Sequence, residues 1–152
     1  MSKIVIIGAG AMGSAFALPC LDNNHDVNIV GTHLENKFID NLKKNNNLHP
    51  GLNTKIPQEI KIFKFEKFDE LLKSNVDLIV LGISSKGIEW VSDQLSKLYK
   101  DNKILFMGNS WSGILEFLRA TDNAPEVREM FKAQLEQREQ IKFKQHQRDI
   151  EK

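Results

Sequence analysis

Near the start of the chain, three glycines lie where a strand-like sequence pattern changes to a helix-like pattern. Residues 3–8 form an almost continuous β-branched run, which is typical of a strand buried on both faces of a parallel sheet. Residues 11–23 follow the apolar spacing of a helix. Gly8, Gly10 and Gly13 mark this junction with the spacing G-x-G-x-x-G. The pattern predicts a strand–turn–helix unit, and it constrains the fold more than any other feature of the sequence.

The same spacing predicts an anion site at the turn. Gly8 would make the tight turn, Gly10 would let a pyrophosphate approach the backbone, and Gly13 would let the helix pack close to the strand. The free N–H groups near Ala11 and Met12 would then face the phosphates, favoured by the helix dipole. A glycine-rich turn without a ligand is the alternative. The agreement of both flanking elements favours the pyrophosphate of a dinucleotide.

Strand and helix patterns continue to alternate along the chain. Further strands are predicted at 26–31, 60–65, 77–84 and 103–107, and further helices at 34–45, 68–73 and 87–99. Residues 46–57, with Pro50 and Gly51, are predicted to form a loop. This order predicts an α/β fold, a Rossmann-type doubly wound parallel sheet over residues 1–110 with a C-terminal helical extension.

The composition changes near residue 110. All four arginines lie at Arg119 or later, and glutamine becomes frequent there. We expect residues 111–152 to form a helical tail, with a short helix at 114–120 and a long charged helix at 126–152, after Pro125. The tail would either pack as a solvated helix on the domain or provide a contact surface for a partner, including a second copy in a homo-oligomer.

Charge and cysteine content exclude some classes of function. The net charge of +1 gives no general attraction to nucleic acid or to an anionic membrane. No apolar stretch approaches the roughly 18 residues of a membrane helix, and the first residues do not resemble a signal peptide. The single cysteine, Cys20, suits a reducing compartment, and we expect a cytoplasmic protein in which Cys20 is a buried apolar side chain rather than a reactive thiol. The four histidines have no metal-ligand spacing, so no metal site is expected.

Two further segments would border a dinucleotide at the strand ends. After the second strand, Thr32 and His33 could bond a ribose 2′-phosphate, or Thr32 could cap the next helix while His33 is solvated. An acid at the strand end would bind the 2′-hydroxyl of NAD, but Glu35 lies slightly beyond that position in the chain. After the fourth strand, Ser84 and Ser85 could donate to a ribose or phosphate, or cap the next helix. The sequence leaves both alternatives open.

Several stretches together resemble one family. Residues 3–14 read Lys-Ile-Val-Ile-Ile-Gly-Ala-Gly-Ala-Met-Gly-Ser, residues 28–32 read Asn-Ile-Val-Gly-Thr, and the loop 48–57 with the strand 77–84 follows the same family's pattern. Residues 3–106 resemble the N-terminal domain of NAD(P)-dependent glycerol-3-phosphate dehydrogenase. The resemblance implies NAD or NADP as cofactor, hydride transfer between NAD(P)H and dihydroxyacetone phosphate to give sn-glycerol 3-phosphate, and a dinucleotide lined by residues matching Ala11, Met12, Thr32 and His33.

The chain also departs from that family. Family members have a Lys-Gly pair after the fifth strand, where residues 107–113 contain no lysine; Lys86 and Gly87 follow the fourth strand instead. The helical second domain that carries catalysis would not fit in this chain, so no catalytic residue is assigned. We expect the cofactor half of a dehydrogenase, or a non-catalytic NAD(P)-sensing module with a helical interaction tail. The predicted cofactor-binding residues are Gly8, Gly10, Ala11, Met12, Gly13, Thr32, His33 and Ser84.

Overall fold

The computed structural model describes residues 1–98 and 103–106. The predicted tail helices and residues 107–113 lie outside the described residues. The bounds of the strands and helices are β1 Lys3–Ile7, α1 Ala11–Asp22, β2 Asp26–Val30, α2 Asn36–Lys44, β3 Leu48–His49, β4 Thr54–Lys55, β5 Lys61–Phe63, α3 Phe68–Lys73, β6 Leu78–Leu81, α4 Ile88–Leu98 and β7 Lys103–Phe106. None of the described helices has both the length and the apolar composition needed to cross a membrane.

Five strands form one parallel sheet in the order β5-β2-β1-β6-β7. From β1 the chain moves to one side of the sheet through β2 and β5, and it then crosses to the other side for β6 and β7. The strand order therefore reverses beside β1, between β1 and β6. This is the predicted doubly wound arrangement, in which ligands bind at the carboxyl ends of the strands where the order reverses.

The sheet is buried on both faces, as the apolar strand sequences predict. Along β1, Ile4 and Ile6 belong to one buried cluster, and Val5 and Ile7 belong to the other. This alternation follows from the two-residue period of a strand. The first cluster includes residues of α1 and α2, and the second includes residues of α3 and α4. The helices therefore cover opposite faces of the sheet.

The register of the sheet aligns three strand ends. Ile7 at the end of β1 pairs with Val30 of β2 on one side and with Leu81 of β6 on the other. A glycine follows each of these strand ends: Gly8, Gly31 and Gly82. The segments that carry the predicted site residues therefore leave the sheet at the same edge.

Residues 46–57 are more ordered than the predicted loop. They contain a short antiparallel pair, in which Leu48 faces Lys55 and His49 faces Thr54. Asn47 precedes the pair with φ of 60°, a left-handed conformation that asparagine tolerates better than most residues. Two-residue strands carry no measurable periodicity, so the sequence could not reveal this pair, which we call the β3–β4 hairpin.

Helix α1 contains a proline and a buried thiol. Pro19 lies inside the helix, which continues to Asp22, and the Pro19 carbonyl oxygen accepts a 2.8 Å hydrogen bond from Asn23 Nδ2. A proline inside a helix has no N–H to donate, so α1 lacks one backbone hydrogen bond at this position. Cys20 is buried, as predicted, and burial raises the pKa of its thiol.

Candidate functional site

Gly8 occupies a position that only glycine fits. Its φ is +107°, and a β-carbon there would lie 2.5 Å from the Gly82 carbonyl oxygen. Its N–H donates to the Val30 carbonyl oxygen at 2.8 Å, while Gly82 N–H donates to the Ile7 carbonyl oxygen at 2.8 Å. Backbone strain and lack of space therefore both require glycine at the tight turn, as the sequence predicted.

Gly13 allows the first helix to lie against the sheet. A β-carbon on Gly13 would lie 2.5 Å from the Gly8 carbonyl oxygen and 3.2 Å from Ile6 Cγ2. A β-carbon on Gly82 would in turn lie 2.8 Å from the Gly13 α-carbon. The close packing expected of Gly13 is confirmed. The matching role of Gly82 was missed, because it depends on where α1 rests on β6.

Gly10 differs from these glycines because no protein atom requires it. Its φ of −67° and ψ of 177° are open to most residues. Among the described residues other than its chain neighbours, no heavy atom lies within 4 Å of the place where its β-carbon would be. A side chain at Gly10 would therefore project into open space rather than into the protein.

The start of α1 has no capping side chain. Gly10 is the N-cap residue and makes no side-chain cap bond, the first turn contains no acidic residue, and no side chain of residues 1–98 bonds to that turn. The first helical hydrogen bond runs from Ser14 N–H to the Gly10 carbonyl oxygen at 3.0 Å. Among the described residues, the N–H groups of Gly10, Ala11 and Met12 have no acceptor. These donors and the positive end of the helix dipole suit an anion.

The Ala9 peptide groups are held from three directions. Ala9 N–H donates to Glu35 Oε1 at 3.1 Å. The Ala9 carbonyl oxygen accepts from Ser14 Oγ at 3.1 Å and lies 3.1 Å from His49 Nε2. Ser14 and His49 are both buried. No sequence pattern predicted that His49, which is 40 residues from Ala9, would lie beside the turn.

Glu35 links the turn to the end of β2. Besides Oε1, its Oε2 accepts from Thr32 N–H at 2.7 Å. Glu35 is also the N-cap residue of α2, which has no side-chain cap bond, so Thr32 does not cap that helix. Both carboxylate oxygens of Glu35 are therefore occupied by backbone donors from two strand ends.

The remaining predicted residues lie at the same edge of the sheet. His33 is exposed, and its ring packs against Trp90 with centroids 4.8 Å apart and against Phe65 at 6.2 Å. Ser84 is exposed beyond β6, and its carbonyl oxygen accepts from Gly87 N–H at 2.9 Å in a short 3₁₀ turn. Thr32 is partly buried next to the Glu35 bridge.

Comparison with known proteins assigns the family. The profile described as NAD-dependent glycerol-3-phosphate dehydrogenase N-terminus matches residues 3–142. The chain belongs to this family. The resemblance noted over residues 3–106 is confirmed, and so is the cofactor class, NAD or NADP. The match extends past residue 110, which leaves the boundary between domain and tail a prediction.

Two curated glycerol-3-phosphate dehydrogenases illustrate the similarity. The NADP(+)-dependent enzyme of Archaeoglobus fulgidus is 30% identical over 124 residues, which are 82% of this chain and 35% of the relative. The NAD(P)+ enzyme of Fusobacterium nucleatum is 34% identical over 108 residues, which are 69% of this chain and 30% of the relative. The chain thus spans about a third of the length of these relatives.

Solved structures show the same fold. Glycerol-3-phosphate dehydrogenase from Coxiella burnetii superposes with a TM-score of 0.59 at 21% identity, over 72% of this chain and 33% of that one. D-mandelate dehydrogenase, in a ternary structure with NADH and anilino(oxo)acetate, gives 0.56 at 26% identity, over 76% and 37%. Both confirm a Rossmann-type α/β domain.

Lys86 is the lysine to compare with the Lys-Gly pair that members of the glycerol-3-phosphate dehydrogenase family carry after the fifth strand. Lys86 is exposed in the 3₁₀ turn Ser85–Gly87, directly before α4. Lys86 follows β6, the fourth strand of the parallel sheet, as the sequence predicted. It therefore lies one strand before the position of the family's Lys-Gly pair. Residues 107–113, where the family's Lys-Gly pair is expected, lie outside the described residues.

Proposed function

We propose that this chain binds the pyrophosphate of NAD or NADP at the glycine turn, residues 8–13, as the cofactor domain of a glycerol-3-phosphate dehydrogenase. The N–H groups of Gly10, Ala11 and Met12 would donate to the phosphate oxygens. The helix dipole of α1 would add favourable potential for the negative charge. Every one of these donors comes from the backbone, so the site depends on the path of the chain.

The observation that carries this proposal is the open position of Gly10. Gly8 and Gly13 are explained by protein atoms that a β-carbon would meet at 2.5 Å. Gly10 has an ordinary backbone conformation, and in the described part of the chain only its own neighbours come within 4 Å of where its β-carbon would lie. The fold itself does not need a glycine at this position, which lies beside unpaired amides. A ligand that approaches the backbone closely would need one.

The end of β2 supports use of either dinucleotide. Each carboxylate oxygen of Glu35 already accepts one backbone N–H group, which turns this carboxylate toward the ends of β1 and β2. Thr32 and His33 are then the nearest polar groups for a 2′-hydroxyl or a 2′-phosphate. Ser84, at the adjacent β6 end, would contact the cofactor farther along the crevice.

The reaction and the substrate are extended from the relatives. Both curated relatives are glycerol-3-phosphate dehydrogenases, so we propose hydride transfer between NAD(P)H and dihydroxyacetone phosphate as the activity of the complete enzyme. Such a reaction needs a proton donor for the developing alkoxide and groups that orient the ketone. No described residue is assigned to these roles here, so we expect little turnover by this chain alone.

Calorimetric titration with NADH and NADPH tests the proposal. We expect saturable one-to-one binding of both, and loss of binding in Gly10→Val, because a branched side chain would fill the space of the pyrophosphate. Lys61→Val places the same side chain at an exposed position at the amino end of β5, away from the glycine turn, and serves as the matched control. Thermal unfolding verifies that both variants are folded. Unchanged affinity of a folded Gly10→Val variant would refute the glycine turn as the phosphate site.

A further inference from the structure

Three side chains from three separate elements fix the Ala9 peptide groups. Glu35 at the start of α2 accepts from Ala9 N–H, while Ser14 of α1 and His49 of the β3–β4 hairpin both reach the Ala9 carbonyl oxygen. Ala9 itself is completely buried. No water can therefore replace these partners without rearrangement, and the turn has one well-defined orientation.

The hydrogen bonds of His49 fix its tautomer. Its Nδ1 accepts from Leu52 N–H at 3.2 Å, so Nδ1 carries no proton. The Ala9 carbonyl oxygen can only accept, so Nε2 must be the protonated nitrogen and the donor. The ring is held in place by Phe38, whose centroid lies 5.3 Å away. The β3–β4 hairpin thus supplies a single, oriented N–H donor to the turn.

The Ala9 carbonyl oxygen and the Gly10 N–H belong to one peptide plane. The described chain contains no cis peptide bond, so these two groups point in opposite directions. Ser14 and His49 hold the carbonyl oxygen toward the interior. The same two bonds therefore direct Gly10 N–H away from the interior, on the side where Gly10 has open space.

We propose that His49 and Ser14 are positioning residues that preorient the Gly10 amide for the dinucleotide phosphate. The inference rests on the proposed function, and it adds a role for the hairpin that the glycine pattern does not contain. Neither side chain contacts the cofactor in this arrangement. Each acts through the Ala9 peptide, so its removal should weaken NADH and NADPH equally.

Two His49 variants separate the hydrogen bond from the packing. His49→Phe keeps a ring beside Phe38 but removes the donor, and His49→Gln keeps an N–H near the place of Nε2. Loss of one buried neutral bond corresponds to about a fivefold change in affinity. We expect His49→Phe to raise Kd about five- to tenfold for both dinucleotides, and His49→Gln to restore it to within about threefold of the parent.

Two serine variants provide a matched pair if His49→Phe does not fold. Ser14 and Ser92 are both fully buried helical serines whose hydroxyls donate to a carbonyl oxygen. Ser14 donates to Ala9, whereas Ser92 donates to Ile88 of its own helix at 2.7 Å. We expect Ser14→Ala to weaken dinucleotide binding about threefold or more, and Ser92→Ala to leave it unchanged.

Amide hydrogen exchange of the full chain without cofactor gives an independent measurement. Ala9 N–H is protected by its own bond to Glu35, so its exchange reports opening of the whole turn. This exchange should accelerate in His49→Phe and Ser14→Ala, but not in His49→Gln or Ser92→Ala. If the parent chain bound neither dinucleotide, the proposed function would fail, and exchange at Ala9 would still decide whether these residues hold the turn. Parent-like affinity together with parent-like exchange in His49→Phe or Ser14→Ala would overturn the inference, and so would equal losses in His49→Phe and His49→Gln.

Discussion

Alanine at each glycine of the turn should separate folding from binding. In Gly8→Ala, the new β-carbon would lie 2.5 Å from the Gly82 carbonyl oxygen at a φ of +107°. The left-handed backbone costs about 1–2 kcal/mol for a residue with a β-carbon, and relief of the overlap costs about 1–3 kcal/mol more. We therefore expect Gly8→Ala to lower the free energy of unfolding by about 2–5 kcal/mol.

The other two substitutions should cost less, for different reasons. In Gly13→Ala the β-carbon also lies 2.5 Å from a backbone oxygen, but alanine regains about 1 kcal/mol of helix propensity, which leaves a loss of up to about 2 kcal/mol. In Gly10→Ala the reduced freedom of the unfolded chain gains about 0.5–1 kcal/mol, and a poorer N-cap loses a similar amount. Stability should then be nearly unchanged, while dinucleotide affinity falls at least tenfold.

Urea unfolding followed by far-ultraviolet circular dichroism measures the stabilities, and calorimetry with NADH measures the affinities. The expected order of destabilisation is Gly8→Ala, then Gly13→Ala, with Gly10→Ala close to the parent. Only Gly10→Ala should combine parent-like stability with weak binding. If Gly10→Ala destabilised the chain as much as Gly8→Ala, a structural need for Gly10 would exist, and the argument for a ligand at this position would be refuted.

Three further predictions concern Glu35, Cys20 and Asn24. Glu35→Gln should weaken NADH and NADPH by similar factors, because the carboxylate holds Ala9 and Thr32 rather than a ribose; calorimetry showing a tenfold shift in preference toward NADPH would contradict this. Because Cys20 is buried and burial raises the pKa of its thiol, iodoacetamide at pH 8 should alkylate the folded chain more slowly than the urea-unfolded chain, and equal rates by mass spectrometry would show the burial to be wrong. Asn24→Ala should lower the free energy of unfolding by about 1 kcal/mol in urea titrations, because residue 24 has a left-handed backbone with φ of 60°. A loss below 0.3 kcal/mol, roughly the error of such a measurement, would show that this backbone conformation does not strain alanine.

The strands and helices could be predicted because their signals are local. The apolar run of β1 is buried on both faces, and the helix over Phe68–Lys73 has the bounds that the sequence predicted. The predicted helix from residue 34 begins instead at Asn36, because Glu35 turns its side chain back to the strand ends. Element ends depend on such hydrogen bonds, which single-residue propensities do not describe.

The missed contributors to the site act over long separations in the chain. His49 lies 40 residues from Ala9 and Glu35 lies 26 residues from it. Gly82 is required only because α1 packs against the end of β6. A sequence pattern can assign Gly8, but the need for Gly82 arises from tertiary packing. For His49, the only signal in the sequence was its position beside the Pro50-Gly51 pair. That pair predicts a turn, but it does not indicate which residue His49 would contact.

The distribution of hydrogen bonds along the turn explains why an anion should bind at this place. Gly8 N–H donates to Val30 and Ala9 N–H donates to Glu35. Ser14 N–H then donates to the Gly10 carbonyl oxygen and begins the helical series. Within the described part of the chain, the N–H groups from Gly10 to Gly13 are thus a continuous unpaired set between Ala9 N–H and Ser14 N–H, which are both paired. Because an ordinary helix start would satisfy such donors with a capping side chain, and α1 has none, an anionic group with several acceptor oxygens is the partner that this arrangement fits.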